Sequence, residues 1–235
     1  MKKLLLAMAL TLLPAGAVAD EPAAFDWSGA YAGAHLGYGE ADVDYDFAAI
    51  DEGFFNEGEG TRVSERLDDL IGGVQAGLNW QSGNIVLGLE GAFTWLGFDE
   101  RSTSPFFPES DGFRTGIDWS AAITPRAGIA FDNVLLYAKG GVAFADVTGR
   151  IQDNLNELFV EKTKTQVGWT IGAGADYALS ENWIIGAEGN YYDFGSFDAG
   201  ENTRTFEGVE TPSLSDHEID TTMWSVLARI SFMFR

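Results

Sequence analysis

Six ionisable side chains attract notice because of the company they keep. Glu90, Arg126, Lys139, Asp176, Glu188 and Arg229 each interrupt a stretch otherwise rich in Gly, Ala, Leu, Ile, Val and aromatic residues. Charges enclosed in such surroundings must be paired, because an uncompensated buried charge is costly. The six are therefore expected to join in one salt-bridge network, with Tyr31, His35, Gln75 and Asn79 beside it. Such a network either plugs an enclosed space and fixes strand register, or lines a charged constriction that selects small solutes.

Other constellations point away from catalysis. The chain has two histidines. His217 sits beside Ser215 and Asp216, but adjacent residues on one segment do not converge into a triad. No Gly-x-Ser-x-Gly elbow, metal-ligand cluster or nucleotide loop occurs, and neither an enzymatic activity nor a cofactor is expected. Asp42, Asp44, Asp46, Asp51, Glu52, Glu57 and Glu59 form an acidic run. Its first three acids have the spacing that opens a calcium loop, without the glycine and closing glutamate of that motif. Divalent cations bridging such carboxylates to neighbouring anionic groups are one expectation; a solvated, repelling surface is the plainer one.

The bulk properties narrow the class. Lys2 and Lys3, the apolar run Leu4 to Leu13 and the small residues Ala17-Val18-Ala19 read as a signal peptide over 1–19, leaving 20–235 as one domain. Removing those two lysines takes the formal charge from −22 to −24. That acidity argues against nucleic-acid partners. The absence of cysteine suits a protein that crosses an oxidising compartment without relying on disulfides.

The rest of the chain alternates with period two. Tight joints fall at Gln81-Ser82-Gly83-Asn84, Asp132-Asn133 and Ser180-Glu181-Asn182. Long polar joints run from Glu40 to Arg66, Asp99 to Thr115, Arg150 to Thr163 and Gly195 to Asp220. Short and long joints take turns, as in an up-and-down meander. Eight strands are expected, near 29–44, 67–81, 84–98, 116–131, 134–148, 164–179, 183–194 and 221–234.

In a strand, residues two apart share a face. One parity is bulky and apolar, as in Ile85, Leu87, Leu89, Phe93 and Trp95. The other is small or polar, as in Gly88, Glu90, Ala92 and Thr94. An eight-stranded barrel has room inside only for modest side chains, so the bulky face must point outward, which is tolerable only in lipid. Aromatics on that parity cluster at strand ends. One girdle comprises Tyr38, Trp95, Trp119, Phe144, Trp169, Tyr191 and Trp224. The other comprises Trp80, Phe131, Tyr177, Trp183, Phe232 and Phe234. The expected fold is an all-β, eight-stranded antiparallel up-and-down transmembrane β-barrel, closed so that every backbone group finds a partner.

The opening Trp27-Ser28-Gly29-Ala30-Tyr31-Ala32-Gly33 and the closing Ala228-Arg229-Ile230-Ser231-Phe232-Met233-Phe234 resemble those of small porin-like outer-membrane proteins, the OmpA-like and RopB-like barrels of alphaproteobacteria. Position 30 is Ala where those proteins have an aromatic, and Arg235 follows the final Phe. The resemblance implies export to the outer membrane of a Gram-negative cell, insertion by the barrel-assembly machinery, and contact with outer-membrane lipid and lipopolysaccharide. The residues themselves, rather than the resemblance, point to a structural, envelope-integrity role with acidic surface loops and a largely plugged lumen. A narrow porin for small solutes and a surface adhesin or receptor are the alternatives.

Overall fold

The computed structural model describes residues 25–47, 62–103, 111–153, 158–198, 202–206, 209–213 and 217–235. The leader expected over 1–19 and most of the acidic run after Asp46 lie outside them. The strands are β1 (Gly29–Phe47), β2 (Arg62–Ser82), β3 (Ile85–Thr103), β4 (Asp111–Phe131), β5 (Val134–Asp153), β6 (Leu158–Ala178), β7 (Trp183–Asp198), β8 (Asn202–Phe206), β9 (Val209–Ser213) and β10 (His217–Phe234). Eight of these close into an antiparallel barrel in the order β1-β10-β7-β6-β5-β4-β3-β2, and β8 with β9 forms a separate hairpin in the fourth long connection. Closure joins the chain's ends, with Tyr31 opposite Met233 and His35 opposite Arg229. No sheet edge is left in the barrel, so the backbone donors and acceptors that hydrocarbon cannot satisfy are paired between strands.

The tight joints are turns at one end of the barrel. Gly83 (φ 60°) and Asp132 (φ 47°) take the left-handed conformation that two-residue hairpin loops demand, which Gly and Asp tolerate better than branched residues. Outward positions carry exposed Leu70, Val74, Leu78, Leu87, Ile123, Leu136, Val167, Ile171 and Ile230, a surface stable only against lipid. Aromatics expected to form girdles lie on this outward face, among them Trp80 at 59% exposure, Trp95 at 57% and Trp224 at 37%.

The strands outrun the expectation at the long-loop end. A tilted strand crosses the hydrocarbon in about 9–11 residues, whereas the barrel strands have 16 to 21. Their upper ends invert in polarity. On β1, Leu36 and Tyr38 point out lower down, while Glu40, Asp42 and Asp44 occupy the same parity higher up. The inward parity changes in the opposite sense. Ala41, Val43, Leu67, Ile71, Leu96, Phe98, Ile117, Val147, Phe194 and Met223 form an apolar core inside the upper barrel. Once the outer face meets water rather than lipid, the apolar side chains belong inside, as in a soluble barrel. Asp42 and Asp44, where the expected first strand and the expected first long joint overlap, and Asp46 beyond them, are thus strand residues. Arg66 approaches Glu40 at 3.2 Å and Asp42 at 3.1 Å on the exposed outer face of β1 and β2, and the bond to Asp42 with its charge strengthens the hold of Arg66 on its proton.

Candidate functional site

The mid-barrel interior is where the chain gathers its buried ionisable groups. Inward parity places Glu90 on β3, Arg126 on β4, Lys139 on β5, Asp176 on β6, Glu188 on β7 and Arg229 on β10, each no more than 9% exposed. Glu90 is the hub. Its Oε1 accepts from Lys139 Nζ at 3.0 Å, and its Oε2 accepts from Tyr31 Oη at 2.7 Å and faces Arg126 Nη1 at 3.5 Å. Glu188 accepts from Lys139 at 2.6 Å, Tyr137 Oη at 2.6 Å and Asn190 Nδ2 at 3.0 Å. Arg229 pairs with both glutamates. Arg126 Nη2 reaches Asp176 at 3.1 Å, and its guanidinium lies 4.2 Å from the Tyr137 ring centre. Three carboxylates meet three cations, so this layer is electrically neutral, the condition under which buried charges persist.

A second polar layer adjoins it. His35 Nδ1 meets Gln75 Oε1 at 2.8 Å and His35 Nε2 meets Thr94 Oγ1 at 3.0 Å. Gln75 Nε2 donates to Ser231 Oγ at 3.1 Å and to the Ala34 carbonyl at 3.3 Å. One ring tautomer, donating from Nδ1 and accepting at Nε2, satisfies both histidine contacts. His35 therefore sits against an amide and a hydroxyl, without the carboxylate that would orient a catalytic base. Asn79 is buried too, at 3% exposure. The side chains of Ser215, Asp216 and His217 lie outside those described. Among the described residues, no group of three His, Asp or Glu converges to hold a metal.

Below the charge layer lies a second apolar one that the strand pattern did not reveal. Phe25 and Trp27 precede β1 and turn into the barrel's lower end, where they pack with Val86, Ala130, Leu135, Ala178, Ile184 and Met233. Trp27 is completely buried. Its backbone N–H donates to Gln81 Oε1 at 2.7 Å, and the Gln81 N–H donates to Ser28 Oγ at 3.0 Å. Arg235, the residue that departs from the usual terminal Phe, holds this segment. It donates to the Asp26 carbonyl at 2.7 Å and stacks its guanidinium 4.5 Å from the Phe25 ring centre. The available signal was parity: Trp27 shares the inward phase of Tyr31, four residues on.

Glycines make room for this packing. A Cβ on Gly77 would lie 2.6 Å from Tyr31 Cζ, and one on Gly174 would lie 2.6 Å from Tyr137 Cζ. The hydroxyl end of each tyrosine reaches over the glycine of the neighbouring strand, into space that a side chain there would occupy.

Residues 5–232 match the outer membrane protein beta-barrel domain family. The chain is 31% identical over 203 residues to a 31 kDa outer-membrane immunogenic protein of Brucella melitensis, covering 80% of this chain and 82% of that one. It is also 31% identical over 153 residues to a 22 kDa outer membrane protein of Rhizobium leguminosarum bv. viciae, covering 63% and 66%. Among solved structures, the outer membrane protein OprG of Pseudomonas aeruginosa superposes with a TM-score of 0.54 at 13% identity, covering 91% of this chain and 99% of that one, a likeness of fold alone.

Proposed function

This chain belongs to the outer membrane protein beta-barrel family and resides in the outer membrane of a Gram-negative cell, and on that premise we propose that it is a sealed structural barrel rather than a pore. The observation that carries the reading is the neutral ion-pair layer of Glu90, Arg126, Lys139, Asp176, Glu188 and Arg229, lying between two apolar layers. A solute pathway would need a continuous polar wall. Here it would have to pass Trp27 and Met233 below, the ion pairs at mid-height, and Ile71, Phe98 and Phe194 above. The test is conductance in planar bilayers. The sealed barrel gives no steps at the level of general porins, and such steps from the wild-type protein refute it.

The upper, acidic part of the barrel is the part offered to the exterior. Relatives described as immunogenic support exposure of this end. Glu40, Asp42, Asp44 and Asp68 lie on the outer face above Tyr38, where lipopolysaccharide headgroups would stand. Carboxylates and phosphates there are compatible only with divalent cations between them. Calcium should raise the unfolding temperature in lipopolysaccharide-containing vesicles, and an unchanged temperature removes the cation bridge.

A further inference from the structure

The lumen contacts occur twice. Tyr31 on β1 stands opposite Gly77 on β2, and Gly77 stands opposite Glu90 on β3. Tyr137 on β5 stands opposite Gly174 on β6, and Gly174 stands opposite Glu188 on β7. The next pair repeats as well, with Gly88 opposite Arg126 between β3 and β4 and Gly186 opposite Arg229 between β7 and β10. The side-chain chemistry follows the register. Tyr31 Oη donates to Glu90 at 2.7 Å and Tyr137 Oη to Glu188 at 2.6 Å. Arg126 Nη1 donates to Tyr31 Oη at 3.1 Å and Arg229 Nη1 to Tyr137 Oη at 2.6 Å.

The local sequence repeats around these positions. Gly88-x-Glu90-Gly91-x-Phe93 answers Gly186-x-Glu188-Gly189-x-Tyr191, and Tyr31-Ala32 answers Tyr137-Ala138. Each arginine is followed five residues later by the closing aromatic of its strand, Phe131 or Phe234. Even the irregularities match. Gly97 (φ 63°) and Gly195 (φ 64°) sit at the register shifts of β3 with β4 and of β7 with β10.

We infer that the barrel is two copies of one four-stranded unit, β1–β4 and β5–β7 with β10, each locked by a Tyr–Gly–Glu–Arg set. Lys139 and Asp176 are a charge-balanced pair added to the second copy only, and the locks do not require them. The equivalent positions in the first copy hold Gly33 and Asn79, both uncharged. Each copy is neutral in the lumen: Glu90 balances Arg126, and Glu188 with Asp176 balances Arg229 with Lys139. The seams between copies are where the repeat relaxes. Arg126 faces Lys139 across β4 and β5, whereas Arg229 faces His35 across β10 and β1, two residues out of step with Gly33. Lys139 thus fills space between the two glutamates without belonging to either lock. The inference is independent of whether the barrel conducts.

Three double substitutions in the full chain separate this from a lumen that needs only neutrality, since each removes one acid and one base at nearly constant volume. Lys139→Met with Asp176→Asn leaves both locks and should keep the wild-type unfolding temperature in detergent micelles. Glu90→Gln with Arg126→Met removes the first lock, and Glu188→Gln with Arg229→Met removes the second. Each should lower that temperature by on the order of 10 °C, because the buried network is broken and a tyrosine hydroxyl loses both its acceptor and its donor, and by the same amount as the other. Complete failure of both lock variants to fold, beside a native Lys139/Asp176 variant, is the same result at its limit. Equal behaviour of all three variants overturns the inference, and so does tolerance of one lock's removal but not the other's.

Discussion

Replacing Glu90 by Gln removes one charge from the centre of the network while keeping the side chain's shape. Glu90 is 1% exposed and answers Lys139 at 3.0 Å, Arg126 at 3.5 Å, Arg229, and the Tyr31 hydroxyl at 2.7 Å. Glutamine retains one acceptor oxygen, but the layer passes from neutral to a net charge of +1 with three cations still facing inward. Breaking a buried ion pair by removing one partner costs about 3–5 kcal/mol. At roughly 2–4 °C per kcal/mol for a chain of this size, the unfolding temperature should fall by about 6–20 °C. The assay is thermal unfolding in micelles, followed by loss of the β-sheet circular dichroism signal and by the heat-induced shift in gel mobility. Asp42→Asn is the control. Asp42 also pairs with an arginine, Arg66 at 3.1 Å, but both side chains are exposed, so the change should cost under about 1 kcal/mol. If Glu90→Gln behaves like Asp42→Asn, the lumen is hydrated enough to screen its charges and the sealed-barrel argument fails.

Four further outcomes follow from the same geometry. Trp27→Ala should destabilise the barrel by about 3–5 kcal/mol in the same melt, yet leave planar-bilayer conductance absent, because the ion pairs and the upper apolar core remain. Gly77→Ala and Gly174→Ala should each cost about 1–3 kcal/mol through overpacking against a tyrosine ring, and a stability change near zero at both would show that the rings move aside freely. Arg235→Ala should change stability by under about 1 kcal/mol while speeding amide hydrogen exchange at Trp27, whose N–H bond to Gln81 depends on the segment Arg235 holds. Ile171→Arg, at an outward position midway along β6, should cost about 2–4 kcal/mol in a bilayer. A harmless result there would place that face against protein or water instead of lipid.

Much of the architecture follows from alternation alone. Period-two patterning, tight joints alternating with long ones, and aromatics confined to the ends of one parity together demand a closed eight-stranded barrel with its bulky face in lipid. Parity also predicts which charged residues turn inward, since a strand's two faces leave no third choice. Three features escaped it. The last residues of the strands at the long-loop end look like loop because their polarity has inverted by then: Val43 and Phe98, at the limits of the expected strands, already point inward at the parity that holds small or polar side chains lower down. The pattern breaks where the solvent outside changes from lipid to water, although the backbone continues unbroken. Trp27 was hidden because it lies before the first strand, where only the fold back into the barrel gives it neighbours. The doubling of the lumen was hidden because its members are single residues on different strands, separated by connections of unequal length.

What the sequence by itself determined, then, is which face of each strand meets lipid and which residues must find partners inside. Which partner each one finds was decided only by tertiary structure. Glu90 and Arg229 lie 139 residues apart, on strands β3 and β10 that are not hydrogen-bonded to each other. They meet because the barrel closes and its strands stagger to a particular height. Alternation is a local property of one strand, whereas closure and stagger belong to all eight together, and the contacts that seal the lumen run across the barrel rather than along it.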